Sequence, residues 1–193
     1  RDIQIKENLK DESLKTSVFN YTQELIRVNA VKNYCWMGAP ILQCPTDLMV
    51  MQELIWQIKP DIIIETGIAF GGMTLFYRTF LEIGDVISID IDIRPYAQKA
   101  LQNDGMIDHL LINGSSISQK VVKIVKRRIK EWKNPTILVS LDSNHTHDHV
   151  LKELQLYSPL VSVGSYIVVF DTAIEEFGHL DKNQNRPWSK GNN

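Results

Sequence analysis

The residues best able to do chemistry stand at the ends of short apolar runs. In Asp61–Phe76, DIIIETGIAFGGMTLF, the run Ile62, Ile63, Ile64 closes on Glu65 and Thr66, and Gly67, Gly71 and Gly72 precede a helical pattern that starts at Met73. Glycines there let the backbone approach a ligand more closely than a Cβ would allow. A helix N-terminus behind them offers free N–H groups, so the stretch reads as a nucleotide-sized cradle. Its order is ExGxxxGG, whereas a dinucleotide fingerprint needs GxGxxG, which disfavours NAD. Taken alone, these residues fit an ordinary turn between a strand and a helix equally well. The next run ends VISIDID. Asp90 at its tip can accept both hydroxyls of a ribose, while Asp92 suits the same site or the cap of a helix begun by Arg94 and Pro95. A third run ends Asn113, Gly114, Ser115, Ser116, a small polar turn suited to the edge of an adenine.

The densest cluster is Leu141–His149, LDSNHTHDH, which gathers Asp142, His145, His147, Asp148 and His149. Such density invites a metal reading. The HxHxDH ligand signature of metallo-β-lactamase-fold hydrolases is out of register by one residue, and His145, His147 and Asp148 would make a 2-His-1-carboxylate iron set. The stretch also runs on into the helical pattern Val150, Leu151, Leu154. Asp148 and His149 then sit on a first turn, where an Asp favours the helix dipole.

These stretches need elements to position them. Strands are predicted at 61–65, 86–90, 109–113, 136–141 and 166–170, with helices between them, Gly84 as a helix stop and Pro95 as a helix start. Repeated βα units of this length predict an α/β fold with a doubly wound, mostly parallel Rossmann-like sheet, its ligands at the carboxyl ends of the strands. Ahead of it, Leu14, Val18, Tyr21, Leu25 and Val28 recur at helical steps and predict an N-terminal helical extension over 1–34, laid against a domain of 35–193. Trp36–Asp47 reads as a loop, with Thr46 or Asp47 capping a helix that runs to about Lys59. In the basic run Lys120–Lys133, Val121, Ile124, Val125, Ile129 and Trp132 form the face to be buried and the cations the solvated one. The run and a chain of net charge −2 give no case for nucleic acid. The length of 193 residues suits one domain, and 44% hydrophobic with 23% charged residues is ordinary for a soluble protein. Cys35 and Cys44 form no CxxC pair, which fits a reducing, cytoplasmic setting, and no apolar run is long enough to span a membrane.

DIIIETGIAFGGMTLF resembles the first motif of class I S-adenosylmethionine-dependent methyltransferases. With VISIDIDIRP, INGSSI, LDSNHTHDHVLKELQLYSPLVSVGSYIVVFDT, RPWSKGNN and the earlier LQCPTDL, most of Trp36–Asn193 is similar to the cephalosporin hydroxylase family, which includes rhamnosyl O-methyltransferases. The resemblance implies S-adenosylmethionine as cofactor, held by Glu65, Thr66, Gly67, Gly71, Asp90, Asp92, Ser115, Ser116 and Asp142. By further likeness to catechol O-methyltransferase, it implies Mg²⁺ at Asp142 and Asp171, with His145 as general base. The residue before Asp171, acidic in some relatives, is here Phe170, which cannot ligate; Asp148, Glu175 or Glu176 would have to take its place. Relatives also continue past the final GNN into a helix and two further strands, so the last strands of the family sheet are missing from this sequence. The uncovered fifth strand then predicts a longer native chain or a homo-oligomer. The expected function is cation-assisted O-methylation of a small-molecule or saccharide hydroxyl. The alternatives are an inactive methyltransferase-like binding domain and a metal-dependent hydroxylase.

Overall fold

The computed structural model describes residues 2–81, 83–102, 109–173 and 176. RPWSKGNN and Glu175 lie outside them. Two helices open the chain, α1 (Asp2–Asn8) and α2 (Glu12–Arg27), the second capped by Asp11, which accepts from the Leu14 amide at 3.0 Å. The amphipathic extension is therefore broken in two. Of its apolar face only Leu25 is buried, and Leu14, Val18, Tyr21 and Val28 remain exposed.

The stretch read as a loop contains a small antiparallel hairpin, β1 (Cys35–Trp36) and β2 (Ala39–Pro40). It leads into α3 (Pro45–Ile58). Cys44 occupies the N-cap without a side-chain bond and Pro45 opens the first turn, so neither Thr46 nor Asp47 is the cap. Proline suits that place because its missing N–H would have no partner there anyway.

The main body alternates strictly: β3 (Ile62–Thr66), α4 (Gly72–Phe80), β4 (Asp85–Asp90), α5 (Pro95–Gln102), β5 (His109–Asn113), α6 (Gln119–Ile129), β6 (Ile137–Leu141), α7 (His147–Tyr157) and β7 (Ile167–Val169). Among the described residues the five strands form one parallel sheet, ordered β5-β4-β3-β6-β7. The chain starts in the middle, winds to one edge, then returns to the other side of β3. That reversal leaves a crevice between β3 and β6 at their carboxyl ends, where doubly wound sheets take ligands.

The alternation of side chains along β3 divides the core into two layers. Ile62 and Ile64 pack with Val121, Val122 and Val125 of α6 and Tyr157 of α7. Ile63 faces the other way, among Met51 and Ile55 of α3 and Phe76 and Tyr77 of α4. Both faces of β3 are buried, which is why it reads as an unbroken apolar run. The basic helix α6 buries Val121 and Val125 as expected, with Val122 beside them, but Arg128 is drawn partly inward. It reaches the fully buried Asp85 at 2.5 Å. Among the described residues no helix is long and apolar enough to cross a membrane.

Candidate active site

Every side chain assigned to the site lies at the carboxyl end of the parallel sheet. Gly67 follows β3 with φ +93°, and a Cβ built there would collide with the Asp142 carbonyl, 2.6 Å from its carbon. Only glycine tolerates both the left-handed backbone and this approach to the end of β6. Gly71, also at positive φ, is the N-cap of α4. Asp90, at the tip of β4, clasps the turn: one carboxylate oxygen accepts from the Ile68 and Ala69 amides at 2.8 and 3.1 Å, the other from the Asp92 amide at 3.0 Å. Asp92 itself is exposed and pairs with Arg94 at 3.4 Å.

Glu65 and Thr66 are fully buried at the end of β3. One Glu65 oxygen accepts from Thr74 and Ser88, both at 2.6 Å, while the other has no hydrogen-bond partner. Burial pushes the carboxyl up to about 7, against the pull of the two hydroxyls. Ser115 is half-buried and Ser116 buried in the turn after β5.

Asp142 extends the β3–β6 ladder, its amide donating to the Thr66 carbonyl at 2.9 Å. Its carboxyl is pushed well above the usual carboxylate range by burial, then by the neighbouring charges of Asp171 and Glu65; a bond from Gln43 opposes them. Gln43, buried ahead of α3, donates to Asp142 at 2.6 Å. Sequence reasoning missed it as a site residue, since an isolated Gln in a loop carries no signal of what it will meet.

Asp142, His145 and Asp171 converge. Each offers one ligand atom, all within 4.8 Å of one another, and His145 Nε2 lies 3.3 Å from the Asp171 carboxylate. His147 and Asp148, exposed on the first turn of α7, stand outside this group. The 2-His-1-carboxylate set is therefore not assembled. Phe170 turns into the core with α3 and α4, 7% exposed, while Asp171 takes a left-handed backbone at φ 59° and stays open to solvent. The second buried cluster at this end is Ser116, Ser143, His149 and Glu153. Glu153 also escaped sequence reasoning, although a lone acid four residues after His149 on a helix face otherwise turned inward was a legible sign.

Strand order, glycine turn and acidic strand tips together define a Rossmann-like α/β fold of the class I methyltransferase type. A family model described as Rhamnosyl O-methyltransferase/CmcI matches residues 28–193, and the chain belongs to that family. It is 32% identical over 151 residues to a rhamnosyl O-methyltransferase of Mycobacterium leprae (strain TN), covering 75% of this chain and 62% of that protein. Among solved structures, cmcI-D160 with Mg-SAM superposes with a TM-score of 0.52 at 19% identity, over 80% of this chain and 63% of that one. The MycE methyltransferase of the mycinamycin biosynthetic pathway, in complex with Mg and SAH, gives 0.51 at 16% identity, over 74% and 35%. The chain thus spans less than two thirds of these proteins' own length.

Proposed function

We propose that this chain transfers a methyl group from S-adenosylmethionine to a hydroxyl of a small-molecule or saccharide acceptor. The observation that carries the reading is the convergence of Asp142, His145 and Asp171 beside a glycine turn clasped by Asp90. The names of the similar proteins support it: a rhamnosyl O-methyltransferase, and neighbours crystallised with Mg and S-adenosyl ligands.

The sulfonium of S-adenosylmethionine supplies a carbon already activated for displacement. The protein's share is therefore positioning, which supplies on the order of 7 to 11 kcal/mol where the geometry is good, together with removal of one proton. We assign the cofactor side of the crevice to the turn carrying Gly67 and Gly71 with Asp90, Asp92, Ser115 and Ser116, and give Glu65 and Thr66, buried beneath that turn, the part of supporting it. His145 accepts the acceptor hydroxyl's proton as the oxygen–methyl bond forms and the carbon–sulfur bond breaks. Asp171, 3.3 Å away, steadies the imidazolium that results.

The donor set fits a divalent cation. The carboxylates of Asp142 and Asp171 can close on one ion with His145 left beside it as the base, and a half-buried carboxyl crowded by negative neighbours is relieved by a positive charge. Asp142 and Asp171 would hold it, and oxygen ligands with several waters favour Mg²⁺. Such an ion would lower the pKa of the acceptor hydroxyl and orient it. The short His145–Asp171 contact also favours a second reading, in which the pair acts as a metal-free base.

Parallel calorimetric titrations with S-adenosylmethionine, S-adenosylhomocysteine and NAD should give binding of the first two alone; binding of NAD alone would discard the proposal. Methyl transfer to a rhamnosyl acceptor should fall by at least tenfold after chelation and in Asp142→Asn. Full activity in both, with loss in His145→Ala, would leave the metal-free pair.

A further inference from the structure

We propose that His149 and Glu153 of α7 form a buried positioning pair that holds the turn after β5 and the turn after β6 as one unit. In doing so they set the spacing between the cofactor seat and the group Asp142, His145, Asp171. The inference deepens the methyltransferase reading and rests on it.

The need for such a device follows from strand order. β5 lies at one edge of the sheet and β6 beyond β3, so β4 and β3 stand between them and no ladder hydrogen bond ties their ends together. One helix does. His149, Glu153 and Tyr157 recur at steps of four and so share one face of α7. His149 Nε2 lies 3.1 Å from Ser116 Oγ and 3.4 Å from Ser143 Oγ. The Ser143 hydroxyl donates to Glu153 Oε1 at 2.7 Å, and the imidazole stands 3.5 Å from the same oxygen. Tyr157 completes the grip, donating to the Ser116 carbonyl at 2.7 Å.

Packing gives no reason for an acid here. Glu153 is 1% exposed, and its other oxygen is buried without a hydrogen-bond partner. A leucine would fill the place without the cost of burying a charge. Burial alone would push the carboxyl up, yet the His149 imidazole and the Ser116 and Ser143 hydroxyls outweigh it and hold the group below its ordinary range. The charge is thus kept for what it grips, and both turns it grips belong to the site.

The test replaces Glu153 by Leu and, as the conservative partner, by Gln. The readouts are hydrogen–deuterium exchange of the amides in 114–118 and 142–146, and calorimetric binding of S-adenosylhomocysteine. Glu153→Leu, which leaves the Ser143 hydroxyl and the His149 imidazole without their acceptor, is expected to lower the melting temperature, to speed exchange in both turns together more than in the rest of the sheet, and to weaken S-adenosylhomocysteine about tenfold. Glu153→Gln, which can still bond Ser143, should restore exchange protection to near the wild-type level. If Glu153→Leu leaves exchange in both turns unchanged, the pair is not a lock and the inference falls. If Glu153→Leu fails to fold, Glu153→Gln combined with Ser143→Ala decides: protection in both turns equal to wild type overturns the proposal. Exchange is read without ligand, so a wild-type protein that binds no S-adenosyl compound would sink the methyltransferase reading while the lock was still decided.

Discussion

Asp90 holds the glycine turn in place, its carboxylate accepting from two amides of that turn and one of its own loop. Asp90→Ala therefore loses the turn's clasp and, under the proposed function, the acceptor for a ribose, and S-adenosylhomocysteine affinity should drop by at least tenfold in calorimetry. Unchanged affinity would mean the ribose lies elsewhere. Glu65 sets a pH dependence. Its carboxyl is raised by burial from an ordinary 4.5 to about 7, so the folded state holds the proton more tightly than the unfolded chain. The stability it contributes is complete below about pH 4.5 and is lost as pH climbs to about 7, a change of order 3 kcal/mol. Asp142, raised as well, acts in the same direction. Urea unfolding from pH 4.5 to 7 should show stability falling more steeply in the wild type than in Glu65→Gln; parallel curves would remove Glu65 as the cause.

At the scale of elements, the β1–β2 hairpin is held on α4 by close contact. A Cβ on Gly72 would strike the Pro40 carbonyl and the Ile41 Cα. Trp36 caps this contact, its indole N–H donating to Thr79 at 3.0 Å and its ring meeting Phe76 edge-on at 5.0 Å. The hairpin leads directly to Gln43, so its seat governs the Gln43–Asp142 bond. Gly72→Ala should cost about 2 kcal/mol of stability by forcing hairpin and helix apart. It should also disturb Asp142, seen as a change in divalent-cation binding by calorimetry. A variant equal to the wild type in both would show that the hairpin does not govern the site.

Over the whole molecule, ligand binding is the measurable quantity. If the crevice binds S-adenosylhomocysteine, a concentration one hundred times its dissociation constant adds about 2.7 kcal/mol and should raise the melting temperature by roughly 5 to 10 °C. No shift at saturating ligand would contradict the proposed cofactor.

Much of this was legible in the sequence because it is local. A buried parallel strand appears as an apolar run, a left-handed turn as a glycine, and a strand tip as the Asp that ends the run. Ile62–Thr66, Gly67, Asp90, Asp142 and Asp171 could be placed that way. What only the tertiary structure decided is non-local. Gln43 meets Asp142 across 99 residues, Arg128 pairs with Asp85, and His149 and Glu153 reach turns from strands that are not neighbours. The sequence showed that Phe170 could not be a ligand. That its ring is drawn into the apolar layer, while Asp171 turns outward beside His145, followed from the packing of α3 and α4. Chain spacing determines which residues share an element, and the burial of apolar faces on both sides of the sheet determines which elements, and therefore which side chains, meet.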